Sequence, residues 1–378
     1  MKTAVIIGGK LQGVEACYLA KKANIKTILI DLNPSVPASG IADEFYCLNV
    51  CEKSKELIAL FKKADFILPA MENDEVLHAL RELKEVESLN IAFDFHAYEI
   101  SSSKVRSDQL IRENQIPAPI YYPDCLPPYI VKPNSMSGSD GVRYIETAEE
   151  VESFLASVPK GESWVAQEYL NGKSYSIEVI GKPGNYRTFE VTEIHMDDAY
   201  DCKMVTAPCP ISNALKDEFS NIGIKLAELV QLNGIMDVEV ILDKGQLKVL
   251  EIDARIPSQT PTVVYHSTGV NFMEEIAQLF CNEEISPRNW KEEYYTSFEH
   301  YVVKKDKIEG LGEHVMSNRG PLHCYKNHMG ADEVITDYRK GDNLLVGTFI
   351  NSAKTQQELD EKRNCMKKIL DKFLKEGK

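Results

Sequence analysis

The sequence has no apolar run that could cross a bilayer. Stretches such as residues 4–7 and 66–68 are strand-sized, well short of the roughly 20 residues a spanning helix needs. Basic charge is scarce: 43 Lys and Arg stand against 58 Asp and Glu, a net charge of -15. Such a balance repels a phosphate backbone or an anionic lipid surface, so neither nucleic acid nor membrane is expected as a partner. There is no disulfide framework to read, because the nine cysteines are odd in number and scattered, with none in Cys-x-x-Cys spacing. Reduced core thiols are the expectation. No His-Glu-x-x-His occurs, and His323 and His328 lack the i, i+4 spacing of two ligands on one helix face, so zinc has no support. Lys2 precedes an apolar run that Gly8, Gly9 and Lys10 interrupt at once, a poor secretion signal, and the expected location is cytoplasmic.

What is present is an ordinary globular composition spread over 378 residues, 43% hydrophobic and 27% charged, enough for two or three packed units. Residues 3–7 form an apolar run ending at Gly8-Gly9. Val14, Cys17 and Tyr18 then recur at helical spacing, and residues 27–30 make a second run ending at Asp31. With a strand at 66–68 and a helix face of Val76, Ala79, Leu80 and Leu83, residues 1–97 read as a doubly wound, Rossmann-like α/β unit. Gly8, Gly13 and Asp31 echo a dinucleotide fingerprint, but Lys10 occupies its second glycine position, so the reading is a structural βαβ unit rather than a nicotinamide site.

Ser101, Ser102 and Ser103 offer helix caps before Lys104, and Pro117 and Pro119 forbid the helix beyond them. Next comes a strand ending at Lys132, then the serine- and glycine-rich segment 134–141, which suits either a plain hairpin loop or a cover whose N–H groups converge on phosphate. Two further strands, at 164–169 and 175–180, flank a short connection. Residues 234–241 and 247–253 read as an antiparallel hairpin turning at Lys244-Gly245. On it, Asp237 and Glu239, then Glu251 and Asp253, alternate with apolar residues, so each strand aims a pair of carboxylates at one face. A wet surface hairpin can carry such charge, but four acids without a base repel one another unless cations sit among them. Residues 301–378 mix strand-like pieces with a charged helix from Gln356 and contain no legible motif.

In order, these parts meet the needs of phosphoryl transfer from a magnesium nucleotide: lysines for phosphates, a hinge for adenine, carboxylates for metal, and a guanidinium for developing charge. From Ser101 to His300 the set resembles the ATP-grasp superfamily of carboxylate-amine ligases, and the first unit resembles the nucleotide-fold domain that precedes theirs. The resemblance implies a two-lobed α+β ATP-grasp domain over residues 98–300 and a small C-terminal α/β domain over 301–378. It implies ATP and Mg2+ as cofactors and small-molecule amino-acid substrates. Lys104, Lys132, Ser135, Ser137 and Gly138 would contact phosphates, and Glu168, Tyr169 and Leu170 would form the adenine hinge. Glu239, Glu251 and Asp253 would hold metal, while Arg255 would be catalytic.

Two departures stand out: Asp253 replaces the superfamily's usual Asn, and Ser174 takes a position that often supplies a ribose-binding glutamate. Longer strings, chiefly residues 7–13, Tyr200-Asp201-Cys202 and 251–265, are similar to the branch serving pyrrolysine biosynthesis. That likeness implies amide ligation between an ornithine-type carboxylate and a lysine ε-amine through an acyl phosphate. A zwitterionic diamino acid needs carboxylates for its ammonium groups and a cation for its carboxylate. Ser176, Glu178, Asp253, Arg255 and Ser258 are the expected pocket, with a solvated strand residue as the alternative reading of Glu178. An ATP-grasp carboxylase acting on bicarbonate would share every nucleotide residue and stays open here, as does, more remotely, a nicotinamide-dependent oxidoreductase.

Overall fold

The computed structural model describes residues 1–134, 141–281, 290–305 and 307–373. Ser135, Ser137 and Gly138 lie outside these residues. The first of three sheets is parallel, with Thr3–Ile7 between Lys26–Asp31 and Phe66–Pro69, and Glu44–Cys47 outside Lys26–Asp31. Helix Leu11–Lys22 connects its first two strands. A Cβ on Gly13 would stand 2.1 Å from the Gly8 carbonyl oxygen, so only glycine lets this helix close on the turn. Asp31 accepts the Gly9 N–H at 2.8 Å on one oxygen and the Asn33 N–H at 2.8 Å on the other. The residues that echo a dinucleotide fingerprint are thus engaged in building the turn itself.

A small antiparallel sheet places Tyr129–Pro133 between Arg143–Ile145 and Trp164–Glu168. The helix Lys104–Glu113 starts at Ser103, whose hydroxyl accepts the Arg106 N–H, as the serine run implied. Asn134, just past the sheet's central strand, receives the Lys104 N–H on its carbonyl at 3.1 Å and the Val105 N–H on its side chain at 2.8 Å. That docking brings the start of the helix to the end of the strand carrying Lys132.

The third sheet is antiparallel and runs through Gln246–Asp253, Gly234–Asp243, Lys173–Lys182, Thr192–Met196, Cys202–Ala207, Tyr295–Lys304, Leu345–Ala353, Ala331–Thr336 and His323–His328. The chain beyond Tyr295 therefore extends the sheet that carries the acidic hairpin. One face of the hairpin, with Val238, Val240, Leu247, Val249 and Ile252, packs with Phe219, Ile222 and Leu226 of helix Asn213–Leu229 in a continuous apolar core. The opposite face is left for polar residues. Among the described residues no helix is long and apolar enough to cross a membrane.

Candidate active site

The hairpin turns at Lys244 (φ 50°) and Gly245 (φ 85°), a two-residue loop with both φ positive, which matches the twist of the flanking strands. Pairing then runs in register up to Val240↔Val249 and resumes at Glu239↔Glu251, leaving Leu250 as the extra residue of a bulge. The bulge has a chemical effect. Val249 faces the helix layer, and uninterrupted alternation would point Glu251 the same way. The inserted Leu250 moves Glu251 to the polar face, opposite Glu239, and exposes a carbonyl that accepts from Lys132 Nζ at 3.3 Å.

Across the neighbouring strand the register aligns Glu178 with Asp237 and Ser176 with Glu239. Two rows result on one face: Glu178, Asp237 and Asp253, then Ser176, Glu239 and Glu251. Ser176 donates its hydroxyl hydrogen to Asp237. Glu178 is fully buried and neither of its carboxylate oxygens makes a hydrogen bond among the described residues. Its solvated-strand reading is therefore excluded.

Crowding of acids sets the electrostatics. Burial, then Glu251, Asp237 and Asp253, push Glu239 well above the usual carboxylate range, with Arg255 opposing. Burial raises Asp253 to about 8 against the pull of Arg255, and raises Asp237 to about 6 against Ser176 and Arg255. Glu178 is raised by burial and by Asp237. Such a face holds its full negative charge only when cations join it. Among the described residues no group of three His, Cys, Asp or Glu could hold a metal ion by itself. The donor set suits magnesium, which takes one or two carboxylates and completes its octahedron with phosphate oxygens and water.

Two cavities share this face. The larger, about 250 Å³, lies between the small sheet and the hairpin and is lined by Lys104, Lys132, Glu168, Tyr169, Leu170 and Ser174 among others. Lys104 Nζ stands 3.8 Å from Glu251. Lys132 is buried, which lowers its pKa, while Glu251, Asp108 and Glu239 favour its charge. Glu168 is tied down, accepting the Ile120 N–H at 2.8 Å and Lys248 Nζ at 2.5 Å. The Tyr169 N–H donates to the Pro128 carbonyl at 2.9 Å, whereas the Leu170 N–H meets no acceptor among the described residues.

The smaller cavity, about 90 Å³, is lined by Asp237, Asp253, Arg255 and Ser258, and also by Asp201 and Glu313. Arg255 donates to Asp253 at 3.1 Å and to Glu72 at 2.6 Å. Burial works against its charge, but Asp253, Glu72 and Asp237 overcome this and hold its pKa above the ordinary value. Ser258 donates to Glu313 at 2.7 Å. Glu239 and Glu251 line both cavities, as do Met196 and Tyr200. Of the expected site residues that fall among those described, all but Ser176 and Glu178 line one of these cavities; those two are buried on the neighbouring strand, beside Glu239 and Asp237, and line neither.

Glu72 and Glu313 were not visible as site residues in the sequence. Glu72 follows the strand Phe66–Pro69 of the first sheet, and Glu313 opens a short 3-10 turn, Glu313–Met316, in the segment without a motif. Neither has a periodicity or spacing that marks it. Asp201 lies in Tyr200-Asp201-Cys202, a string marked only by its likeness to other proteins.

Residues 101–259 match the ATP-grasp domain family, and residues 4–92 match the PylC-like N-terminal domain. The chain is 38% identical over 365 residues to the 3-methyl-D-ornithine--L-lysine ligase of Methanosarcina mazei, covering 96% of this chain and 94% of that protein. It is 40% identical over 364 residues to the ligase of the same name from Methanosarcina barkeri, covering 96% of each. In fold it is similar to an L-amino acid ligase from Bacillus licheniformis, with a TM-score of 0.70, 18% identity and 97% of each chain covered. It is likewise similar to the ADP complex of N5-carboxyaminoimidazole synthetase from Staphylococcus aureus, with a TM-score of 0.72, 18% identity, and 98% of this chain and 97% of that one covered. Two lysines and the paired hairpin acids line one cavity, and on its full-length likeness the chain belongs to the 3-methyl-D-ornithine--L-lysine ligase family of ATP-grasp enzymes and is an ATP-dependent carboxylate-amine ligase.

Proposed function

We propose that the protein joins the carboxylate of 3-methyl-D-ornithine, or of D-ornithine, to the ε-amine of L-lysine, with ATP converted to ADP and phosphate. The observation that carries this reading is that Glu239 and Glu251 line both cavities. A nucleotide in the larger cavity and a carboxylate in the smaller one would meet at these two side chains. Magnesium held there by Glu239 and Glu251 would neutralise the phosphate oxygens during transfer. Lys104 and Lys132 sit on the nucleotide side and supply charge to the phosphates. Arg255, fixed by Asp253 and Glu72, presents its guanidinium to the carboxylate that attacks the γ-phosphorus. That attack breaks the bond to the bridging oxygen, forming the acyl phosphate and releasing ADP. The lysine ε-amine then attacks the acyl carbon, phosphate leaves, and the amine gives up a proton. Asp253 and Asp237 line the smaller of the two cavities and not the larger, which favours them as substrate-side acids that face ammonium groups rather than phosphate, with buried Glu178 behind Asp237.

ADP release measured over pairs of amino acids tests the reading. D-ornithine or its 3-methyl form together with L-lysine should stimulate release, and diacids or bicarbonate should not. Stimulation by bicarbonate with an amine, and none by the diamino acids, would move the protein to the carboxylase reading. A second expectation concerns the nucleotide side alone. Lys104→Ala or Lys132→Ala should weaken ATP binding by about 1–3 kcal/mol, the loss of a charge-assisted bond. Calorimetry giving unchanged nucleotide affinity for both variants would remove them from the site.

A further inference from the structure

We propose that Glu15, on the first helix of the N-terminal unit, is a positioning residue for the amino-acid pocket, holding the Ser258–Gln259 turn in the shape that lines the cavity. The inference rests on the proposed ligase reaction for its kinetic readout, but its geometry is independent of the substrate.

Gln259 has φ 69° and ψ -56°, a left-handed conformation that a side chain adopts only under constraint. The Thr260 N–H donates to the Ser258 carbonyl at 2.8 Å across it, which closes a tight three-residue turn of the strained kind. This turn opens helix Thr260–Thr268, and no side chain of its own caps that helix. Glu15 does so from another part of the chain. Its carboxylate accepts the Gln259 N–H at 3.2 Å on one oxygen and the Thr262 N–H at 2.6 Å on the other. The carboxylate thus satisfies two amides that a helix start leaves without partners, and its charge suits the positive end of the helix. Glu15 itself is 3% exposed and does not line the cavity. It acts through the turn.

What the turn presents is specific. Ser258 and Gln259 both line the smaller cavity, and both donate to the same oxygen of Glu313, at 2.7 and 2.8 Å. The Gln259 side chain also reaches the Cys202 carbonyl at 3.5 Å. A relaxed turn would shift Ser258, Gln259 and Glu313 together, and with them the wall facing Asp237 and Asp253. The nucleotide cavity has none of these three in its lining. Loosening the turn should therefore act on the amino acids and spare ATP. This also gives the N-terminal unit a task that its incomplete dinucleotide fingerprint does not suggest.

The test is Glu15→Gln, which keeps the volume but can accept only one of the two N–H groups without placing its amide against the other. Burial already pushes the native carboxyl up to about 7, so a neutral side chain of the same shape is tolerable to the fold. The KM for the ornithine substrate should rise about tenfold or more, the loss of a hydrogen bond to a charged group, with the KM for ATP unchanged. Hydrogen exchange at the Gln259 and Thr262 amides should speed up while exchange in strand Gly234–Asp243 stays as it was. Faster exchange with unaltered amino-acid KM would overturn the positioning role, as would unaltered exchange. An equal rise of both KM values would mark a general structural defect and overturn it too. If the unsubstituted protein responds to no diamino acid, the reaction assigned above is wrong, and the exchange result alone then decides whether Glu15 holds the turn.

Discussion

Glu251→Gln should reduce amino-acid-dependent ADP release by a factor of about 100 or more, while the protein keeps its fold. The residue faces Glu239 across the hairpin, stands 3.8 Å from Lys104 Nζ and favours the charge of buried Lys132. One carboxylate therefore serves the proposed metal position and both lysines proposed to meet the phosphates. Removing its charge weakens the hold on magnesium and the stabilisation of charge on the transferring phosphoryl group, each an effect of several kcal/mol in sites of this kind. Folding should survive, because the substitution relieves repulsion: Glu251 is the first neighbour, after burial itself, that pushes Glu239 out of the carboxylate range. The outcome separates from a binding defect in a magnesium titration. If raising magnesium restores the full rate, the side chain contributes affinity for the metal only, and if the rate is near normal at modest magnesium, the two carboxylates are not the metal site.

The hairpin also shows where a sequence stops being sufficient. Alternation placed Asp237 with Glu239 and Glu251 with Asp253 correctly within each strand, because the period of two is a local property of the backbone. Whether the two pairs share a face depends on register, and alternation from Leu247 and Val249 would have sent Glu251 into the apolar layer. The bulge at Leu250 resolves this, and nothing in Val249-Leu250-Glu251 announces it, since an inserted residue is fixed by pairing with another strand rather than by its own side chain. The Gly13 position and the caps at Ser103 were legible for the opposite reason: a close approach and an unpaired N–H each demand a particular residue type. Glu72, Glu313 and Glu15 were illegible because each works at a distance of many residues, through one hydrogen bond or two, on a partner whose location only tertiary structure sets. Burial of Glu178 belongs to the same class. Its strand alternates like a half-wet one, and only the tertiary structure shows that both faces are covered, with every position from Tyr175 to Gly181 buried.

Arg255 should prove the least replaceable side chain of the proposed amino-acid pocket. It lies on the loop immediately after Asp253, and its side chain, 12% exposed, bridges Asp253 and Glu72. Arg255→Ala would leave Asp253, Glu72 and Asp237 facing one another without their counter-charge, a loss of about 3–5 kcal/mol when one partner of a buried pair is removed. That variant is expected to unfold at lower denaturant and to lack activity, which by itself would not distinguish scaffold from chemistry. Arg255→Lys makes the distinction. It restores the charge, but an ammonium cannot span two carboxylates with the fixed fork of a guanidinium and still direct an N–H at a substrate. The expected result is a stability close to that of the unsubstituted protein, an unchanged Kd for ATP, and a kcat lower by about 100-fold, the scale seen when one donor to developing negative charge is displaced. A lysine variant with kcat within threefold of the original would show that Arg255 only neutralises Asp253 and Glu72. The cation at the reacting carboxylate would then have to be Lys104 or Lys132, whose ammonium groups line the neighbouring cavity.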